Sequence, residues 1–177
     1  TCYYSNFAQT IGILLHQRGL DRPPPDLIEP ICITVWAAGR NLSYAERFRM
    51  QAAFNTTARA FGAFFEEWDI ILTPITALPT PRIGATEYLT TSDNPSVQDW
   101  FANLWRFFAY TPLANLCGIP GISLPLAEQQ NGLPLGIQAQ AKLGNDGLLL
   151  QLAAQIERAI DGRWNAGRLP GIHVTHP

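Results

Sequence analysis

Lysine is almost missing from this sequence: Lys142 is the only one among the twelve Lys and Arg residues. The arginines are dispersed and the formal net charge is -2. No basic stripe exists to hold a phosphate backbone or an anionic lipid surface, so neither nucleic acid nor membrane is expected as a partner. Cysteine is scarce too. Cys2, Cys32 and Cys117 lie far apart and form no C-x-x-C pair, which excludes a zinc knuckle and a thioredoxin-type motif. Reduced thiols and a cytoplasmic setting are the expectation. No apolar run approaches the ~20 residues of a membrane span. The start, Thr1-Cys2-Tyr3-Tyr4, has neither a secretory signal pattern nor an initiator Met, so the chain reads as a piece of something longer. What is plentiful is apolar side chain, 47% of the residues against 15% charged, enough to build a buried core.

That apolar content is patterned. Phe7, Ile11, Leu14 and Leu15 fall on one helical face, closed by Gly19. After Pro23-Pro24-Pro25 a short helix is expected over about 26–40, with Asp26 as N-cap. Ser43 and Glu46 form a capping box. It opens a helix to about residue 67 whose stripe (Met50, Phe54, Ala58, Phe61, Phe65) is read as core. Asp69 to Pro74 reads as a strand buried on both faces. An ordered loop with Pro74, Pro79 and Pro81 follows, then a polar surface loop over 85–96. A helix over about 97–109 is expected to turn Val97, Phe101, Leu104, Phe107 and Phe108 inward. A short helix, Leu113 to Cys117, ends at Gly118, and strands at Ile122–Leu124 and Leu135–Ala141 pair across an Asn131-Gly132 turn. Asn145 or Asp146 caps a last helix with Leu149, Leu152, Ile156 and Ile160 on one face. Strands alternating with helices argue for an α/β layer structure.

The chemistry that would make this chain an enzyme by itself is missing. None of the five serines sits in G-x-S-x-G; Gly121-Ile122-Ser123-Leu124-Pro125 carries proline at the second glycine and reads as strand. No serine precedes Lys142 by three residues, which removes S-x-x-K. Cys117 has no electropositive neighbour in sequence to lower its thiol and reads as a small buried residue. His173 and His176 sit in a glycine- and proline-flanked tail, a poor frame for a metal. No G-x-x-x-x-G-K-[ST] phosphate loop is present. No cofactor or metal is expected.

Three segments, in order, resemble one family. Asp69-Ile70-Ile71-Leu72-Thr73-Pro74 is similar to the strand-plus-proline segment of amidase-signature enzymes. Asn115 to Pro125 is similar to their N-x-x-G-x-P-x-x-S-x-P element, and Leu133-Pro134-Leu135-Gly136-Ile137-Gln138 to their L-P-x-G-x-Q strand, with a leucine-rich helix after it. The match covers about 69–160. The resemblance implies an α/β fold in which this chain supplies part of a short mixed sheet covered by helices, completed by an N-terminal portion outside the chain. It divides residues 1–177 into a helical lead-in (1–68), a strand–hairpin–helix scaffold (69–160) and a tail (161–177), together the C-terminal part of an amidase domain. It further implies hydrolysis of carboxamides by a Ser–cis-Ser–Lys triad with an oxyanion hole of backbone amides. This chain holds no Ser-Ser pair and no Gly-Gly-Ser loop, so no catalytic residue is carried over. The Phe-rich helix, the proline loop and Arg168-Leu169-Pro170 look similar to the 6-aminohexanoate-cyclic-dimer hydrolase type.

In the intact enzyme this segment would contribute pocket wall. The loop Pro74 to Pro79 leaves the carboxyl end of a strand, where α/β sheets bind ligands. Thr76 is the candidate polar contact, Tyr110 and Trp105 are candidate apolar walls, with core packing the favoured reading of Trp105, and Cys2 and Trp36 are weaker candidates. A small amide is the expected substrate of the whole enzyme. The alternative is a non-catalytic scaffold or binding subunit; a third possibility, an independent hydrolase using Ser123 or Cys117, lacks a base in sequence. Apolar faces meant for the missing portion should make the isolated chain self-associate; a monomer at high concentration in sedimentation would contradict this.

Overall fold

The computed structural model describes residues 2–82, 96–130 and 132–161. The elements are α1 (Cys2–Gln17), α2 (Pro30–Arg40), α3 (Tyr44–Phe64), β1 (Ile70–Pro74), α4 (Val97–Phe107), α5 (Pro112–Cys117), β2 (Gly121–Glu128), β3 (Pro134–Ala141) and α6 (Asp146–Ala159). They fall into two compact units: Thr1–Thr56 with Pro81–Phe107, and Thr57–Thr80 with Phe108–Pro177.

The first unit is helical. Its core sets Ile31 and Val35 of α2 against Val97 and Phe101 of α4, with Tyr4 and Phe7 of α1 packed on them. A second cluster joins Ala8, Leu15 and Trp36. Gly39 lets α1 and α2 approach closely, because a Cβ there would run into the Tyr4 carbonyl oxygen and the Ala8 methyl. Arg47 ties the unit together. Its Nη1 donates to the buried Ser5 Oγ at 2.6 Å and its Nη2 to the Gly39 carbonyl at 3.1 Å. Gly19, at φ +64, closes the turn after α1. The capping box forms in full: Ser43 N donates to Glu46 Oε2 at 2.8 Å and Glu46 N donates to Ser43 Oγ at 3.2 Å.

Two expectations for these helices are corrected. α2 begins at Pro30, with Glu29 rather than Asp26 in the N-cap position; Leu27 N instead donates to Pro24 O, a turn left over from the proline run. Proline at N1 lacks an amide that the first turn would leave unpaired in any case. And α3 holds no buried residue. Of its expected core stripe, Met50, Phe54, Ala58 and Phe61 are half-buried, and Phe65 alone is buried, in the turn just past the helix. The described residues supply too little facing surface to cover a 21-residue helix.

The second unit is built on a three-stranded sheet in the order β1-β3-β2. Both pairings are antiparallel, Ile70 opposite Ala141 and Gly121 opposite Gln140. The α/β class holds; within this chain all three strands pair antiparallel, and for β2 and β3 the tight hairpin between them allows only that sense. One sheet face is apolar: Ala139 and Ala141, both fully buried, pack with Ile70 and Ile122 under Leu149 and Leu152 of α6. The opposite face carries Thr73, Gln138 and Ser123 in line across the three strands, as the period-two alternation requires. β1 is not fully buried: Leu72, on the apolar face of this edge strand, is 60% exposed while its partner Ala139 on the central strand is covered by α6. β2 runs past Pro125 to Glu128, farther than expected. A bulge between Leu124 and Ala127 absorbs the proline, whose missing amide would otherwise break the ladder. Gly118, at φ +67, ends α5 as its left-handed cap. The polar loop over 85–96, apart from Ser96, and the tail beyond Asp161, with His173, His176 and the Arg168-Leu169-Pro170 segment, lie outside the described residues.

Candidate functional site

A cleft of about 580 Å³ opens at the carboxyl end of β1, within the range of small-molecule sites. One wall is the loop after β1, Pro74 and Thr76 to Pro79. The facing wall is Leu135 of β3 with Glu128, Gln129 and Gln130 of the hairpin neck, and Tyr110 stands beside them. All of these belong to the sheet unit.

The chain forms this loop for local reasons. Ile75 N donates to Gly136 O at 2.9 Å, extending the ladder by one residue past β1. A side chain at Gly136 would strike Ile75 Cγ1 at 2.8 Å and Ser123 Oγ at 3.2 Å, so glycine is what lets the loop leave over β3. Beyond it, Gln129 clasps Thr80: its Oε1 accepts from Thr80 N at 3.2 Å and its Nε2 donates to Thr80 Oγ1 at 2.9 Å. Gln129 is itself fixed in the hairpin neck, its N donating to Leu133 O at 2.8 Å and its O accepting from Gly132 N at 2.9 Å. Gly132, at φ +81, completes that turn.

Of the residues singled out in the sequence, Thr76 and Tyr110 meet in this cleft. Trp105 does not line it. It belongs to the helical unit, where its ring lies 5.2 Å from Tyr3 and 5.9 Å from Phe101. Trp36 is core in that same unit, with the Arg40 guanidinium 4.7 Å above its ring. The side chain of Cys2 lies outside the described residues. Glu128, Gln129 and Gln130 had read only as a turn; polar residues in a hairpin neck carry no periodic signal that would mark them as lining.

The groups considered as nucleophile or base are poorly placed for that work. Burial pushes the Cys117 thiol above its usual range, away from the thiolate. Lys142 Nζ is paired with Glu66 Oε1 at 2.7 Å on the surface. Ser123 lies inside β2 rather than on a strand-to-helix elbow. Among the described residues no group of three His, Cys, Asp or Glu could hold a metal, and no helix is long and apolar enough to cross a membrane.

The profile of the Amidase family matches residues 18–150. The chain belongs to the amidase family. AmiC of Mycobacterium leprae is 45% identical over 96 residues, which are 54% of this chain and 19% of that protein. The 6-aminohexanoate-cyclic-dimer hydrolase of Paenarthrobacter ureafaciens is 33% identical over 135 residues, 67% of this chain and 27% of that one. A solved structure of 6-aminohexanoate cyclic dimer hydrolase superposes with a TM-score of 0.78 at 27% identity, covering 95% of this chain and 34% of that chain. This amidase-family chain thus spans about a fifth to a third of the length of the relatives it matches.

Proposed function

We propose that the chain is the C-terminal part of a cytoplasmic amidase, residues 1–177 of this numbering lying wholly within its amidase domain. The Ser–cis-Ser–Lys machinery would lie in the portion outside this chain, and the chain by itself would be inactive. Its contribution is pocket wall: Thr76 offers a hydroxyl to the carboxamide, while Tyr110 and the proline-rich loop pack along the rest of a small amide. Trp105, held by Tyr3 and Phe101 in the helical unit, is assigned no part in this cleft.

The observation that carries this reading is the meeting of Thr76 and Tyr110 in one cleft beside the loop that leaves β1, and binding residues concentrate on loops held by a rigid scaffold. The name of the Paenarthrobacter relative adds a substrate class, amides of medium-length aliphatic chains, which suits the apolar half of the cleft (Leu78, Pro79, Leu135). The test is Thr76→Ala in the intact enzyme, with kcat and KM measured for a series of aliphatic amides. Losing one hydrogen bond to a neutral amide should lower kcat/KM by a factor of about 2 to 13, from the ~0.5–1.5 kcal/mol of such a bond. Unchanged constants across the series would remove Thr76 from the pocket.

A further inference from the structure

We propose that Gln129 is a positioning residue for the substrate loop, setting how the enzyme binds its amide while taking no part in the chemistry. The inference rests on the reading of the cleft as pocket wall. Between Ile75 and Thr80 the loop bears the cleft-lining side chains, and it is tied down at both ends. The near tie is the bond from Ile75 N to Gly136 O, made by main-chain atoms alone. The far tie is the carboxamide of Gln129, which accepts from Thr80 N and donates to Thr80 Oγ1. The far tie therefore depends on one side chain.

A carboxamide is suited to this task. It offers an acceptor and a donor side by side in a plane, matching the acceptor-and-donor pair that Thr80 presents through its hydroxyl and its amide. The clasp also couples two walls of the cleft, since Gln129 itself lines it from the hairpin neck. Releasing it would let the loop carrying Thr76 move against β3. Loss of preorganisation of this kind weakens binding more than it slows a chemical step performed elsewhere.

The experiment compares Gln129→Ala, Gln129→Glu and Thr76→Ala in the intact enzyme, using hexanamide as probe, with amide hydrogen exchange read at Thr80 in parallel. Glutamate keeps acceptors for both the Thr80 amide and the Thr80 hydroxyl, so it should preserve the clasp. The expected result is faster exchange at Thr80 by about tenfold and a three- to fivefold higher KM with little change in kcat for Gln129→Ala, both largely restored in Gln129→Glu. Unchanged exchange at Thr80 in Gln129→Ala would overturn the proposal, because the clasp would not be what holds the loop. Faster exchange with an unchanged KM would also overturn it. In that case a raised KM in Thr76→Ala would leave the cleft standing as the pocket, and an unchanged one would remove the cleft reading as well.

Discussion

The two units reach stability by different means. In the helical unit, large side chains interdigitate: Phe101 alone meets the rings of Tyr3, Tyr4, Trp100 and Trp105 at centroid distances between 4.7 and 6.5 Å. In the sheet unit the face under α6 is built from two fully buried alanines, Ala139 and Ala141, with Leu149 filling the space above them, while Gln140 between them is buried on the other face. Aromatic packing gives many partly redundant contacts. A sheet face of small residues depends on whatever covers it. The same contrast recurs within the sheet itself. Its Ile70–Ala141 end is sealed by α6, whereas its Pro74–Leu135 end is left open as the cleft. The cleft-lining residues sit at the end that the core does not occupy.

The sharpest way to break this comparison is Leu149→Ala. Leu149 is 3% exposed and faces two alanines that cannot expand into a vacated volume. A loss of about 3 kcal/mol is expected, in the middle of the range for leucine truncation at sites that collapse poorly. Hydrogen exchange should report the loss on the β1–β3 and β2–β3 ladders and leave the amides of α1 and α2 unchanged. A uniform loss across both units would show that the sheet unit has no stability of its own.

The reciprocal change is Gly39→Ala in the helical unit. Alanine gains ~1 kcal/mol in helix propensity over glycine. Here its methyl would have to push aside the Tyr4 carbonyl, a backbone group, together with Ala8. Separating α1 from α2 would also pull the Gly39 carbonyl and Ser5 away from Arg47. The net outcome expected is about 2 kcal/mol of destabilisation, read as faster exchange in α1 and α2. A stabilised variant would mean that the two helices pack less closely than described.

Legibility in the sequence followed the range of the interaction responsible. The capping box needs two residues three apart, and it stands as expected. The hairpin and α6 announce themselves by a turn signal and a leucine face, and both are present. The start of α2 was misplaced because Asp26 and Pro30 are both acceptable near a helix start, and only the turn closing on Pro24 decides between them. β2 was cut short because proline looks like a stop, and a bulge that tolerates one leaves no local mark. Burial was the least legible property. The stripe on α3 and the apolar run of β1 report what could be buried, while coverage depends on what lies opposite. For the same reason the strand end singles out Thr76, which lines the cleft with Tyr110, while an aromatic on a helix such as Trp105 looks alike whether it walls a pocket or stacks on Phe101, as it does here.

The smallest effect expected separates the two units by pH and salt. In the helical unit, hydrogen bonds from the Ser43 hydroxyl and amide hold the Glu46 carboxyl below its ordinary range. In the sheet unit, the hydrogen bond and charge of Lys142 do the same for Glu66. Both carboxyls are lowered on folding, so each contributes stability above the unfolded carboxylate value, near ~4.3, and loses it as pH falls through the folded value. The pH dependence alone cannot distinguish them, but salt can. Glu66 and Lys142 form an exposed ion pair, which salt screens. The capping box is a pair of short-range hydrogen bonds to one local turn and is screened much less. Protection of the first-turn amides of α3, taken as exchange relative to the unstructured rate at the same pH, should therefore fall on acidification alike at low and high salt. Glu46→Gln, which retains a capping side chain without its titration, should flatten that response. Equal salt sensitivity of the two acid transitions would mean that charge rather than hydrogen bonding governs Glu46 as well, and the contrast between the units would not extend to their surfaces.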